Sequence, residues 1–176
     1  MASSMQIAHQ LRRKCWISFR RNMQQNAVDN AQMPITPATN ATSFVENTQT
    51  NPRDKQKTFA LSNVSDDAIK RAAVLGIDLT GKVLALDHDS VIHAMKGHSG
   101  QNEYLRGQVP IDAQDIAAFD RIFNSAELRV GTPPIAKDST RLLAGNVALD
   151  GWIYSFAAKV RKNYVSMQTL FKRKKK

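Results

Sequence analysis

Two histidines lie five positions apart in the segment VIHAMKGHSG, residues 91–100. Imidazole titrates near neutral pH, so His93 and His98 could act as the base and the acid of a proton-transfer reaction. Gly97 is expected to end the helix that carries His93, which leaves His98 in the following loop, able to fold back over the helix end. The alternative is a helix-terminal histidine beside a solvated one, with no role in chemistry. The local pattern leaves both interpretations open.

A metal site is another use of histidine, since His88 precedes His93 by five residues. Metal ligands on a helix are usually three or four residues apart, because this spacing puts them on one face. A five-residue step turns about 140° around the helix, so these side chains diverge. Cys15 is the one cysteine of the chain, which excludes an intrachain disulfide and a cysteine-rich zinc site. We predict no metal and no other cofactor.

Basic side chains are concentrated after residue 158. The sequence has 25 Lys and Arg against 15 Asp and Glu, a formal charge of +10, and eight of the cations follow residue 158 without an acid among them. Cations on one surface favour an anionic partner, and each could contact a phosphate of a nucleic acid. An ordinary solvated sheet face, or a KRKKK terminus that serves solubility or localisation, is the open alternative.

The elements that would position these residues follow from hydrophobic periodicity and turn signals. The candidate strands are TFALSNV and GKVLALD, and the candidate helices are SDDAIKRAAVLG, DHDSVIHAMKG (capped by Asp87 or Asp89) and PIDAQDIAAFDRIF. After a turn at GTPP, a β-meander is predicted over residues 140–149, 152–161 and 164–172, with turns at Asp150-Gly151 and Lys162-Asn163. Because most of the predicted helices precede the predicted antiparallel strands in the sequence, we expect an α+β domain.

The first 56 residues differ in composition from the rest. Residues 1–23 interleave Arg and Lys with Trp and Phe, which predicts a basic amphipathic segment. Residues 24–56 are rich in Asn, Gln, Thr, Ala and Pro without an apolar period, which predicts a disordered linker. The folded domain is then predicted over residues 57–176. No apolar run is long enough for a transmembrane helix, so stable membrane insertion is not expected.

The segments VIHAMKGHSG, YLRGQVPIDAQDI and KVRKNYVSMQTLFK together resemble the phage-type nucleases of the barnase–EndoU–colicin–RelE (BECR) superfamily. These domains occur as C-terminal modules of MuF-type phage head proteins and of polymorphic bacterial toxins. The shared features are two histidines at a helix end, a short acidic helix after them and a closing strand ahead of a basic terminus. The resemblance covers residues 57–176 and implies N-terminal helices packed on a C-terminal antiparallel sheet of about four strands.

The activity that the resemblance implies is that of a metal-independent endoribonuclease, a toxin or phage effector, with tRNA as one candidate substrate. A base removes the 2′-hydroxyl proton of RNA, an acid protonates the leaving 5′-oxygen and cations stabilise the phosphorane, which leaves a 2′,3′-cyclic phosphate. The implied location is the cytoplasm of a target or host bacterial cell, after delivery from a phage or a secreted effector. The implied protein partner is an acidic immunity protein or antitoxin.

The resemblance also implies roles for individual residues. The catalytic candidates are His93, His98, Lys159 and Thr169. The RNA-binding candidates are Arg106, Arg161, Phe171 and Lys172. Phe171 stands where the family is expected to have tyrosine, and its ring would stack on a base.

A simple register of the meander separates these candidates. If Lys162-Asn163 is a two-residue turn, Phe156 pairs with Thr169. Alternation then turns Thr169 and Phe171 away from the sheet face that carries Lys159. These three side chains share one face only if a β-bulge intervenes.

Two other functions compete with the nuclease. One is a non-catalytic nucleic-acid-binding or phage structural protein that uses the basic sheet without the histidines. The other is a peripheral membrane-binding protein anchored by residues 1–23. Loss of activity on replacement of the histidines separates the nuclease from the first, and truncation at residue 56 separates it from the second.

Overall fold

The computed structural model describes residues 40–53 and 58–175 of the chain. The basic segment predicted over residues 1–23 lies outside them. Within them the strands are β1 (Thr58–Asn63), β2 (Val83–Asp87), β3 (Glu127–Ile135), β4 (Arg141–Leu149), β5 (Trp152–Val160) and β6 (Tyr164–Lys174). They form one sheet in the order β1-β2-β6-β5-β4-β3, with β2 and β6 parallel and the other neighbours antiparallel. The α+β class is confirmed, with six strands in place of about four.

The described residues also form helices α1 (Ala41–Thr50), α2 (Asp66–Val74), α3 (His88–His98), α4 (Asn102–Leu105), α5 (Ala113–Ala117) and α6 (Phe119–Ser125). Helix α2 begins as predicted, since the Ser65 side chain accepts a hydrogen bond from the Ala68 amide. The segment PIDAQDIAAFDRIF was expected to be one helix but is two, because Ala118 departs from helical geometry between α5 and α6. Among the described helices, none is both long and apolar enough to cross a membrane.

Helix α1 corrects the predicted linker within residues 40–53, while residues 24–39 and 54–56 of that prediction lie outside the described residues. The Asn40 side chain caps this helix by accepting a hydrogen bond from the Ser43 amide at 2.8 Å. Phe44 is buried, and its ring stacks on that of Phe59 in β1 with centroids 5.4 Å apart. Tertiary burial stabilises a helix that its polar composition does not indicate. The folded domain therefore begins before residue 57.

The β-meander forms as predicted, and one face of its sheet packs on helices. At the turn between β4 and β5, Asp150 and Gly151 have φ angles of 51° and 81°, as a two-residue hairpin turn requires. On the helix-facing side, the Phe156 ring lies 5.5 Å from that of Phe119 and 5.4 Å from that of Phe123. The core occupies this face, which leaves the opposite face of the sheet for polar side chains.

The segment GTPP, predicted as a turn, is instead part of β3. This strand leaves regular pairing with β4 between Val130 and Ile135. Prolines are tolerated there because β3 is an edge strand and needs no donor on its outer side. Gly131 fits the detour, since a Cβ at this position would lie 2.6 Å from the Cβ of Leu142.

Candidate functional site

A β-bulge in β6 brings Thr169 and Phe171 to the sheet face that carries Lys159. Next to the turn at 162–163 the register of β5 and β6 is as predicted, but it shifts by one residue at Gln168. The pairs on the two sides of the shift are Ala158 with Met167 and Ala157 with Thr169. One extra residue inverts the alternation of every residue after it. The simple register is therefore wrong beyond the bulge, and the condition for a shared face is met.

An open cleft of about 790 Å³ lies where the start of α3 meets this face of β5 and β6. It brings together three predicted site residues, His93, Lys159 and Arg161, with Tyr164 and the bulge residue Gln168. The His93 side chain is exposed, while Lys159 and Arg161 are half-buried. The predicted residues that do not line the cleft are His98, Arg106, Thr169, Phe171 and Lys172.

Carboxylates that the sequence analysis did not assign to a site also line the cleft: Asp87, Asp89 and Asp138. Lys159 Nζ donates to Oδ2 of Asp138 at 2.8 Å, and this bond holds the pKa of the Asp138 carboxyl well below its usual range. Arg161 lies 3.7 Å from Asp87 and 4.0 Å from Asp138. Both cations are thus paired with carboxylates that are distant in sequence, so no local pattern could reveal the pairing.

The N-cap residue of α3 contributes to the cleft. The Asp87 side chain makes no capping bond and instead accepts from Thr58 Oγ1 at 3.0 Å. Burial, and then the charge of Asp87, raises the pKa of the Tyr164 phenol, so this hydroxyl is neutral at pH 7. The Arg161 guanidinium lies 5.9 Å from the centre of the Tyr164 ring. Tyr164 therefore supports Arg161 in the cleft, a role that the sequence analysis did not assign.

His98 is the last residue of α3, which corrects the expectation that Gly97 ends the helix and leaves His98 in a loop. Gly97 keeps helical geometry, and the helix is capped at Ser99, whose amide donates to the carbonyl of Met95 at 3.2 Å. Because the helix continues through Gly97 and ends at His98, a glycine with positive φ is not needed to end it. His98 is consequently fixed in position by the helix.

Glu103 of α4 holds His98 in place, and it is a site residue that the sequence analysis missed. Its carboxylate is buried, with Oε2 accepting from His98 Nδ1 at 3.0 Å and Oε1 accepting from Arg106 at 2.8 Å. The His98 ring also lies 5.8 Å from the ring of Phe171. The three-residue spacing of Glu103 and Arg106 is a local signal for their pairing. The contact with His98 has no such signal, because it depends on how α4 packs against α3.

Thr169 and Phe171 line a smaller pocket of about 250 Å³ over β3, β4 and β5. Thr169 directly follows Gln168, which lines the cleft, so the pocket and the cleft are adjacent at the bulge. The predicted residues fall into two neighbouring groups. The cleft group is His93, Lys159 and Arg161, and the pocket group is Thr169, Phe171 and His98.

Lys172 lies on the helix-facing side of β6, which corrects its prediction as an RNA contact. Its side chain is buried, and its Nζ donates to Asp115 Oδ2 at 2.6 Å and lies 5.2 Å from the Trp152 ring. The Tyr154 hydroxyl donates to the other Asp115 oxygen at 2.7 Å, and burial together with this bond raises the pKa of Tyr154. Lys172 lies on the helix-facing side because the bulge in β6 inverts the alternation of the residues that follow it. Basic residues that are exposed after it are Arg173, Lys174 and Lys175.

Residues 40–53 and 58–175 contain no group of three His, Cys, Asp or Glu side chains placed to hold a metal ion.

Comparison with known proteins adds no assignment to the site. The side chains that α3 and the bulge bring together are therefore the basis for a functional proposal. No family model matches the chain, and neither a curated protein nor a solved structure matches it.

Proposed function

We propose that this chain is a metal-independent endoribonuclease, a toxin or phage effector, that cleaves RNA by transesterification. The observation that carries the proposal is the bulge at Gln168. It puts Thr169 on the sheet face of Lys159 and Arg161, next to the helix that bears both histidines. Two imidazoles and two cations are the groups that phosphodiester transfer requires: His93, Lys159 and Arg161 line the cleft, and His98 lies on the same helix beside Phe171.

Lys159 and Arg161 hold the phosphate in the cleft and stabilise the charge that develops on the phosphorane. His93, exposed in the same cleft, removes the proton from the 2′-hydroxyl as that oxygen attacks phosphorus. The bond from phosphorus to the 5′-oxygen then breaks, and an acid gives this oxygen a proton. The products are a 2′,3′-cyclic phosphate end and a 5′-hydroxyl end.

We assign His98 as the acid in this reaction. Its Nδ1 donates to the buried carboxylate of Glu103, so Nε2 is the nitrogen that remains to give a proton. The carboxylate also compensates the charge of the protonated ring. A five-residue step advances about 7.5 Å along a helix. The same step turns about 140° around the helix, so the RNA must curve around α3 for its phosphodiester to contact both His93 and His98.

Binding of RNA in the cleft is an exchange of one anion for another. Lys159 already donates to Asp138, which belongs to the turn between β3 and β4 and whose side chain is 43% exposed. A phosphate that reaches Lys159 replaces this carboxylate. An acidic immunity protein or antitoxin, the expected partner of such an enzyme, would offer Lys159 the same chemical group that Asp138 provides.

The test is incubation of the purified chain with total RNA in excess EDTA, beside the variants His93→Ala, His98→Ala and Lys159→Ala. We expect discrete fragments with cyclic phosphate ends from the wild-type chain. Each variant should lower the rate by about 10²–10⁴-fold, the usual contribution of an acid, a base or a charge-stabilising group. Lys70→Ala is the matched control, since Lys70 is an exposed residue of α2 that does not line the cleft.

Circular dichroism of each variant shows that a loss of rate does not come from unfolding. The control at position 70 should cleave RNA at the wild-type rate. Intact RNA after incubation with the wild-type chain would refute the proposal. So would cleavage at an unchanged rate by both histidine variants.

Non-catalytic RNA binding is the second candidate, favoured by the exposed basic residues at the end of β6, Arg173, Lys174 and Lys175. In that case RNA would stay intact but shift on a gel, with an affinity that falls steeply as salt is added. His93→Ala would leave this affinity unchanged. Cleavage that depends on His93 therefore separates the two functions.

A further inference from the structure

The pocket beside the cleft is a hollow in the face of the sheet that carries Lys159. Its lining includes Arg129, Ala144, Ser155, Ala157, Thr169 and Phe171. Space is left there because the residues at 144, 155 and 157 are small. The detour of β3 between Val130 and Ile135 forms one side, through the residues at 130–132.

The pocket contains a polar group without a partner. Thr169 Oγ1 is buried from solvent and makes no hydrogen bond to any described atom. Buried side-chain polar atoms in folded proteins are paired in the large majority of cases. A hydroxyl can both donate and accept, so Thr169 is placed to bond a polar atom of a ligand in the pocket.

An aromatic ring and a cation complete the lining. The Phe171 ring is supported by His98 at 5.8 Å, and an aromatic face stacks on any base. Arg129 is exposed, and its guanidinium can donate to acceptors on the edge of a base. The volume is about 250 Å³. Sites for drug-sized ligands have roughly 300–1,000 Å³, so this pocket suits a single ring system.

We infer that this pocket binds a nucleobase of the RNA, next to the phosphate held in the cleft. The inference rests on the proposed function, since it takes RNA as the ligand. Gln168 lines the cleft and Thr169 lines the pocket, so consecutive residues of β6 contact the phosphate and the base. Thr169 and Arg129 then select among bases, and cleavage occurs at preferred nucleotides.

Methyl-detected NMR of the full chain tests the base site without relying on catalysis. The ligands are the four nucleoside 3′-monophosphates, with inorganic phosphate and ribose 5-phosphate as controls that lack a base. At least one nucleotide should shift the methyl signals of Ala144, Ala157 and Thr169, and the two controls should not. Ala157→Leu fills the pocket and should weaken binding of that nucleotide by about tenfold or more. Ala148→Leu, at an exposed position of β4 outside the pocket, should leave binding unchanged.

The outcomes separate the base site from the proposed function. Equal shifts with nucleotides and ribose 5-phosphate would overturn the base site, and so would a lack of methyl shifts in a chain that cleaves RNA. Either result leaves the ribonuclease proposal in place. Base-dependent shifts in a chain that does not cleave RNA would support the base site and refute catalysis. A chain with neither shifts nor cleavage would overturn both.

Discussion

Removal of the Glu103 carboxylate should lower the stability of the protein. The side chain is 2% exposed and accepts from His98, which is 18% exposed, and from Arg106, which is 60% exposed. A hydrogen bond to a charged group in a partly buried place contributes about 1.5–3 kcal/mol. A surface pair such as that with Arg106 contributes about 0.2–1 kcal/mol. We therefore expect Glu103→Ala to lower the free energy of unfolding by roughly 2–4 kcal/mol.

Thermal denaturation followed by circular dichroism measures this loss. One kcal/mol changes the midpoint by roughly 2–4 °C in a domain of 150–250 residues, so Glu103→Ala should melt about 5–15 °C below wild type. Glu103→Gln keeps the shape but has a single acceptor oxygen for two donors. Arg106 can turn to solvent, so this variant should melt at an intermediate temperature. Arg106→Ala is the matched control and should lower the midpoint by at most about 4 °C.

The same variants separate positioning of His98 from folding. At a temperature where all of them are folded, Glu103→Gln should lower kcat about tenfold or more with little change in KM, because the His98 ring loses its charged partner. The pH profile of kcat should change as well, which a merely structural role would not cause. A midpoint for Glu103→Ala within a degree or so of wild type would refute the stability reasoning. Full kcat in Glu103→Gln would refute the positioning role.

Three further predictions follow from the other ion pairs and from the buried phenol. Asp138→Asn should raise the affinity for RNA by up to about fivefold, because Lys159 loses its competing carboxylate. Fluorescence anisotropy at constant salt measures this affinity, and a weaker complex would contradict the exchange of anions. Lys172→Met should lower the free energy of unfolding in urea by about 3–5 kcal/mol, since Asp115 loses its buried partner, and should leave the affinity for RNA unchanged. Unchanged stability with a weaker RNA complex would make Lys172 an RNA contact. The raised pKa of Tyr154 contributes stability that is present below about pH 10 and is lost as pH rises through the folded-state value. Tyr154→Phe should therefore be less stable than wild type in urea at pH 8 but lose less stability between pH 8 and pH 11; an equal loss in both proteins would contradict the assignment.

The parts of the fold that could be predicted from sequence are those with local signals. Asp150-Gly151 lies between two alternating runs, and only residues that tolerate positive φ suit such a turn. Ser65 precedes two acids and an apolar stripe, which is a complete helix start. These signals depend on neighbours in sequence, so the meander and α2 were predicted with boundaries close to those observed.

The parts that could not be predicted depend on contacts between distant residues. The bulge at Gln168 has no signal in the composition of β6, and only the pairing of β6 with β5 reveals it. Helix α1 has few apolar residues and is stabilised by packing on β1. Glu103 reaches His98 only because α4 packs against α3. The sequence therefore indicated candidate residues, among which Lys172 lies on the other face of the sheet, and it did not indicate the division of the site into a cleft and a pocket.

The position of β6 in the sheet affects when the domain can fold during synthesis. This strand follows the other described strands in sequence but lies between β2 and β5, so within residues 40–53 and 58–175 it is β6 that joins β1-β2 to β3-β5. Val83 pairs with Tyr164, far along the chain, and pairings of high contact order form slowly. A nascent chain that lacks β6 has two unjoined pieces of sheet and no cleft. For the proposed nuclease, a growing polypeptide is thus inactive toward the ribosome and messenger that produce it until the last strand has emerged.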